Sequence, residues 1–294
     1  MEFYLTAFQL ALCLAPMCMG IFITMKIFKI PDITTDGSYT LGAAVTAVLL
    51  SRHLPGYLVL PISMMAGALA GSLTGIIHTK LRIDALLAGI LVMTGLYSVN
   101  LIVLGRSNVP LIDVSTLFGA LHLFGDETYN AFAVGLLAVA VLAALLTFVL
   151  KTDFGIAMRA VGSSETMTSA LGINNDRVKI AGLAFANALT ALSGYLVAQY
   201  QGFADINMGI GIVITGLGSV LIGDVLRSWF SVSSIGAQIA LVAMGSLVFQ
   251  LVLAVTLAAG VDPNLLKLVT AVFVLAIVAI PRLTGIKLKT GKER

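Results

Sequence analysis

The sequence predicts an all-α fold, a polytopic membrane helix bundle with about nine transmembrane segments, within a range of about eight to ten. Three observations predict it. Of 294 residues, 59% are hydrophobic and only 11% are charged, where a soluble domain carries about 25% charged residues. Mean hydropathy is +1.05. The apolar residues also gather into runs near the roughly 20 residues that cross a bilayer. The connections between runs are too short to fold by themselves, so 1–294 reads as a single transmembrane domain.

The runs are 3–24, 38–51, 57–79, 83–104, 130–150, 179–199, 207–225, 232–259 and 264–281. The first lacks the basic stretch and small-residue cleavage site of a secretory signal, so it is expected to stay as a membrane helix. Its two cysteines, Cys13 and Cys18, read as buried thiols. Run 38–51 is short for a span and follows Pro31, Asp32, Asp36 and Gly37. It is expected to be a broken or re-entrant helix, because irregular backbone survives at membrane depth only inside protein or beside a cavity. Run 57–79 carries Gly67, Gly71 and Gly75, a doubled GxxxG that lets helix backbones approach closely. Packing within the chain and a subunit interface both fit it. Run 232–259 reads as one tilted helix or as a short helix plus a span. Asp32-Ile33 ahead of a Gly/Ala-rich run is echoed by Asp205-Ile206 ahead of another, as an inverted repeat would require, and chance explains two residues equally well.

Charge placement sets the orientation. With the N-terminus outside, 14 of the 17 basic residues fall inside, the exceptions being Arg52, Arg106 and Lys267. The expected topology is therefore N-terminus out and C-terminus cytoplasmic.

Polar residues within the runs form two stripes. Thr94, Ser98 and Asn100 lie in one helix, with Thr94 and Ser98 at i, i+4 on one face; Asn187 and Thr190 lie in another. Each alone reads as an interhelical hydrogen bond; together they are candidates for a pathway for uncharged groups. No charged residue is expected near mid-span, which disfavours ion-coupled transport, where intramembrane carboxylates or histidines carry the coupling ion. His53, His78 and His122 have no metal-ligand spacing. The tail from Gly285, GIKLKTGKE, has five residues between its glycines and no Ser or Thr after the lysine, so it is not a phosphate loop. Any ATP used must bind another chain.

The strongest signal is the polar stretch 151–180 between two spans. Gly162, Ser163 and Ser164 offer a helix start with a hydroxyl cap, Glu165 puts negative charge in the first turn, and Gly172 offers a stop. The expected helix has about two turns, far below the roughly 12–15 residues at which isolated helices become stable. It needs a docking partner.

GIAMRAVGSSETMTSALGINNDRVKIAGLAFANALTALSGYL resembles the cytoplasmic coupling segment of binding-protein-dependent ABC importer permeases of the branched-chain amino acid and simple sugar type. The pattern maps onto Arg159, Ala160, Gly162, Glu165, Ala170, Gly172, Ile173, Val178 and Lys179. Where a commoner signature of the superfamily has E-A-A, this chain has Glu165-Thr166-Met167. PDITTDGSYTLGAAV and LLAGILVMTGLYSVNLIVLGRSNVPL extend the resemblance to the subgroup associated with tryptophan or other hydrophobic amino acids. The resemblance implies a type II-like permease fold in the bacterial cytoplasmic (inner) membrane. It also implies two copies of an ABC ATPase, an extracytoplasmic substrate-binding protein and a second copy of this chain as partners. ATP and Mg would belong to the ATPase, with no cofactor on this chain and no nucleic acid. Arg159, Gly162, Ser163, Ser164, Glu165 and Gly172 are then the candidate ATPase-coupling residues. Gly162 and Gly172 delimit the helix, while Arg159 and Glu165 supply polar contacts. Thr94, Ser98, Asn100, Asn187 and Thr190 are the substrate-pathway candidates. The alternatives are a permease for a sugar or nucleoside and a secondary transporter working alone.

Overall fold

The structure, a computed structural model, describes residues 2–112, 114, 116–120, 127–230, 232–262 and 265–283. The basic tail and His122 lie outside the described residues. Each apolar run folds as a helix. The first is α1 (Glu2–Phe22), whose end widens into a π-helical turn over Ile23–Phe28; α2 (Thr34–Ser51), α3 (Gly56–Lys80) and α4 (Ala85–Leu104) follow. A strand β1 (Asn108–Pro110) and a short α5 (Leu117–Ala120) precede α6 (Glu127–Lys151), α7 (Asp153–Ser163) and α8 (Glu165–Ala170). Then come α9 (Asn175–Gln201), β2 (Phe203–Asp205), α10 (Ile212–Trp229), α11 (Ile235–Ala258) and α12 (Leu266–Leu283).

Among the described residues, seven helices are long and apolar enough to cross a membrane: α1 with its π turn, α3, α4, α6, α9, α10 and α11. The expected nine include α2 and α12, which miss that standard. The start of α2 carries Thr34, Thr35, Asp36, Ser38 and Thr40, which dilute its hydropathy, and the apolar described part of α12 is Leu266–Ile277. Within α2 the backbone is unbroken, and α11 is one continuous helix without a second short piece.

The bundle is organised around α1 and α9, the two most enclosed spans. They cross antiparallel. Tyr200 donates to the Thr6 carbonyl at 3.3 Å, Ser193 to the Cys13 carbonyl at 2.7 Å, and Gly20 lies against the Ala186 carbonyl. Around this pair the packing repeats with inverted sense: α9 contacts α2 and α3, while α1 contacts α10 and α11. Lengths repeat as well, with α2 and α10 at 18 residues each and α3 and α11 at 25 and 24. Asp32 and Asp205, the echoed pair, both close a turn by accepting from the amide two residues on, Thr34 at 2.9 Å and Asn207 at 2.8 Å.

Close approach replaces hydrophobic drive between these helices. The doubled GxxxG of α3 faces α9, and a Cβ on Gly71 would run into the Leu183 carbonyl and the Asn187 side chain. It therefore packs within the chain. At one end of the bundle β1 and β2 pair antiparallel, Val109 opposite Ala204, and cover the end of α2. At the other end gather Lys26, Lys29, Lys80, Arg177 and Lys179; here Lys26 pairs with Asp224 and ties α1 to α10.

Candidate functional site

The polar stretch at the basic end is two helices, where the sequence suggests one. They meet at Ser164, whose extended backbone (φ −156°, ψ 107°) ends α7 and starts α8. Its hydroxyl accepts from the Met167 amide at 3.3 Å, so Ser164 is the N-cap and Ser163 is the last residue of α7. Gly162 does not delimit the short helix. It lies inside α7, and a Cβ there would collide with the Ile27 carbonyl, so its small size lets α7 press on the π turn of α1. Gly172 sits at φ +80°, where glycine carries no Cβ penalty. Its amide donates to Ser169 at 3.0 Å and the Ile173 amide to Thr168 at 3.0 Å, a Schellman end that closes α8.

Six residues do not make a stable helix alone, and α8 is held by Asn175 at the start of α9. The Asn175 amide donates to the Glu165 carbonyl at 2.8 Å and to Ser169 Oγ at 2.9 Å, while its Oδ1 accepts from Thr168 at 2.7 Å. Glu165 also pairs with Lys179 at 2.7 Å. Asn175 was not among the candidates; an asparagine just after a glycine stop was the available signal. The outward side of α8 is open, with Met167 and Leu171 at 64% and 68% exposure. Arg159 is exposed, and its Nε reaches the Gly155 carbonyl at 3.4 Å. Between this pair of helices, the α1–α2 connection and the facing ends of α3 and α4 lies a cavity of about 440 Å³.

The pathway candidates do not come together. Thr94 and Ser98 face outward on α4, with Thr94 donating to the Ile90 carbonyl of its own helix at 2.8 Å. Asn100, Asn187 and Thr190 are buried. Asn100 donates to the Gly37 carbonyl at 3.1 Å, and Thr190 bonds back to Ala186 at 3.1 Å. Asn187 joins a polar core: its amide donates to Asp32 at 2.7 Å and its Oδ1 accepts from Ser38 at 2.7 Å, while Thr34 and Thr74 share a bond of 2.7 Å.

The expectation of no charge near mid-span is overturned here. Asn187 is 12 residues into α9, about 18 Å along its axis at ~1.5 Å per residue, so Asp32 reaches the middle of the bundle. Asp36 is buried too, accepting from the Gly211 and Val213 amides at 2.9 Å each and capping α10. The chain folds back after α1 and carries both aspartates inward, where they find hydrogen bonds in place of water. The signal available was their position just ahead of the polar start of α2.

A buried polar core, a helix pinned to the end of a central span and a multi-pass bundle together suit a transport subunit. The family described as "Branched-chain amino acid transport system / permease component" matches residues 3–278. The chain belongs to this family. The permease is a multi-pass membrane protein and the membrane-spanning component of an ABC importer. It is 38% identical over 269 residues to the tyrosine transport system permease protein of Clostridioides difficile, covering 92% of this chain and 88% of that one. An uncharacterized protein of Rickettsia prowazekii is 34% identical over 277 residues, covering 92% and 95%. The ribose import permease protein of Haemophilus influenzae is 26% identical over 195 residues, covering 65% and 59%. No solved structure matches the permease.

Proposed function

We propose that the permease imports an amino acid with an aromatic or hydrophobic side chain, driven by ATP hydrolysed on a separate pair of ATPase subunits. The family match over residues 3–278 carries the transport role. The amino-acid assignment is supported by the full-length similarity to a tyrosine transport permease; the ribose permease matches less of the chain. Two copies of the permease enclose the path, and an extracytoplasmic binding protein delivers substrate. The N-terminus lies outside and the basic end faces the cytoplasm, in keeping with the excess of Lys and Arg on inner loops.

In this reading α8 docks on the ATPase through its exposed side, with Met167 and Leu171 as apolar contacts and Arg159 and Glu165 at the rim. Ser164 and Gly172 fix the ends of α8, and Gly162 seats α7 on α1. Asn175 transmits the load to α9, which packs on α2 and α3. Packed helices switch between discrete arrangements, so a push on α8 moves α9 as a body. Asn187 and Thr190 lie along α9 and Asn100 beside Gly37, placing them to respond to that motion. Thr94 and Ser98, outward in one copy, line the path between two copies.

Reconstitution tests the whole reading. Permease, ATPase and binding protein in proteoliposomes should take up labelled L-tyrosine or L-tryptophan only with ATP. Uptake that ignores ATP and follows a sodium or proton gradient overturns it.

A further inference from the structure

The cavity at the basic end has a composition that the transport role does not require. Four charged residues line it: Lys179 and Glu165 pair with each other at 2.7 Å, which leaves the Lys29 ammonium and the second oxygen of Asp84 as the charges open to a ligand. The His78 ring is fixed by Nδ1, which donates to the Ile83 carbonyl at 2.9 Å. Phe28 and Val161 form an apolar wall. The volume of about 440 Å³ lies in the range of about 300–1,000 Å³ usual for small-molecule sites. An inorganic anion entering it meets the Asp84 carboxylate, and a metal cation meets the Lys29 ammonium. A zwitterion that carries an ammonium, an anionic group and an apolar part satisfies all three kinds of wall.

We propose that this cavity binds an amino acid on the α8 side of the membrane and that its occupancy slows the transport cycle. The inference rests on the amino-acid reading above for its choice of ligand. Lys29 belongs to the connection between α1 and α2, against which Gly162 of α7 packs, and Asp84 belongs to the start of α4. A ligand bridging Lys29 and Asp84 holds these two elements at one spacing. It therefore favours the arrangement that presents that spacing over any other the cycle visits. Product accumulating beneath the transporter thereby restrains its own import.

Two substitutions probe the site without disturbing its backbone. Lys29 sits at φ 58°, which asparagine tolerates, so Lys29→Asn removes the charge and keeps the turn. Asp84 caps α4 by accepting from the Leu86 amide at 2.9 Å, and Asp84→Asn keeps the cap. The experiment measures ATP-driven uptake of labelled L-tyrosine by the reconstituted complex, with unlabelled L-tyrosine trapped on the α8 side. In parallel, equilibrium binding of L-tyrosine to the solubilised full chain is measured. Trapped tyrosine should slow wild-type uptake several-fold and bind saturably. N-acetyl-L-tyrosine and the methyl ester, each lacking one charge, should do neither. Each substitution should weaken both effects about tenfold, the loss of one charged contact, relative to its own uninhibited rate. Active transport with no binding and no slowing overturns the proposal and leaves the importer reading intact. Absent tyrosine uptake overturns that reading; the binding measurement then decides the site alone. Competition by phosphatidylethanolamine with no effect of tyrosine assigns the cavity to a lipid headgroup and overturns it.

Discussion

Asp32 owes its place in the bundle to partners rather than to exposure. Its carboxylate accepts from the Thr34 amide and from Asn187, and neither bond is reachable by water in quantity. Removing one partner strands a buried carboxyl oxygen. Asn187→Ala should therefore destabilise the solubilised permease by about 3 kcal/mol in thermal unfolding. The double variant with Asp32→Ala should lose less than the sum of the two singles, because the stranded polar group is gone. Additive losses would show that the contact carries no coupling. Asp36 makes a separate case. Asp36→Ala leaves the Gly211 and Val213 amides without their acceptor and should cost about 2–4 kcal/mol. Asp36→Asn keeps one acceptor oxygen and should cost about half as much by the same measurement.

At the scale of the element, α8 is defined by its two ends and by Asn175. Ser164→Ala removes the cap and should weaken the helix by about 1 kcal/mol, seen as faster amide exchange at Met167. Gly172→Pro is more severe, since proline fixes φ near −65° where this turn needs +80°. It should leave membrane insertion intact, assayed by fractionation, while ATP hydrolysis loses its link to uptake. Glu165→Lys places a second ammonium beside Lys179. With Glu165 open to solvent and Lys179 only 11% exposed, the original pair is partly screened and contributes about 1 kcal/mol to stability, so the main expected loss is in coupled uptake. Wild-type uptake in both Gly172→Pro and Glu165→Lys would remove α8 from the docking role.

For the whole molecule, the inverted arrangement around α1 and α9 gives two half-bundles that share a central antiparallel pair. Motion of one half against the other needs an outside source of work, which in the proposed import cycle is a separate ATPase chain. Reconstituted uptake should persist when sodium and proton gradients are dissipated by ionophores, and should stop when the ATPase is omitted. Persistence without the ATPase would favour a transporter working alone.

Composition and run length determined the membrane class of this protein, because a bilayer admits long apolar helices and little else. The order of polar residues from Ser163 to Gly172 determined that a short helix lies there, since capping and the left-handed stop are local chemistry. That Ser164 and not Gly162 starts it depended on the fit of α7 against Ile27, a contact between residues far apart in sequence. The outward direction of Thr94 and Ser98 likewise follows from which face of α4 meets α2, and helix periodicity does not choose that face. Asp32 and Asp36 looked like boundary residues because hydropathy reads depth from chain position. Only the tertiary structure, by folding the chain back after α1 and supplying Asn187 and the α10 amides, decided that two carboxylates belong in the core.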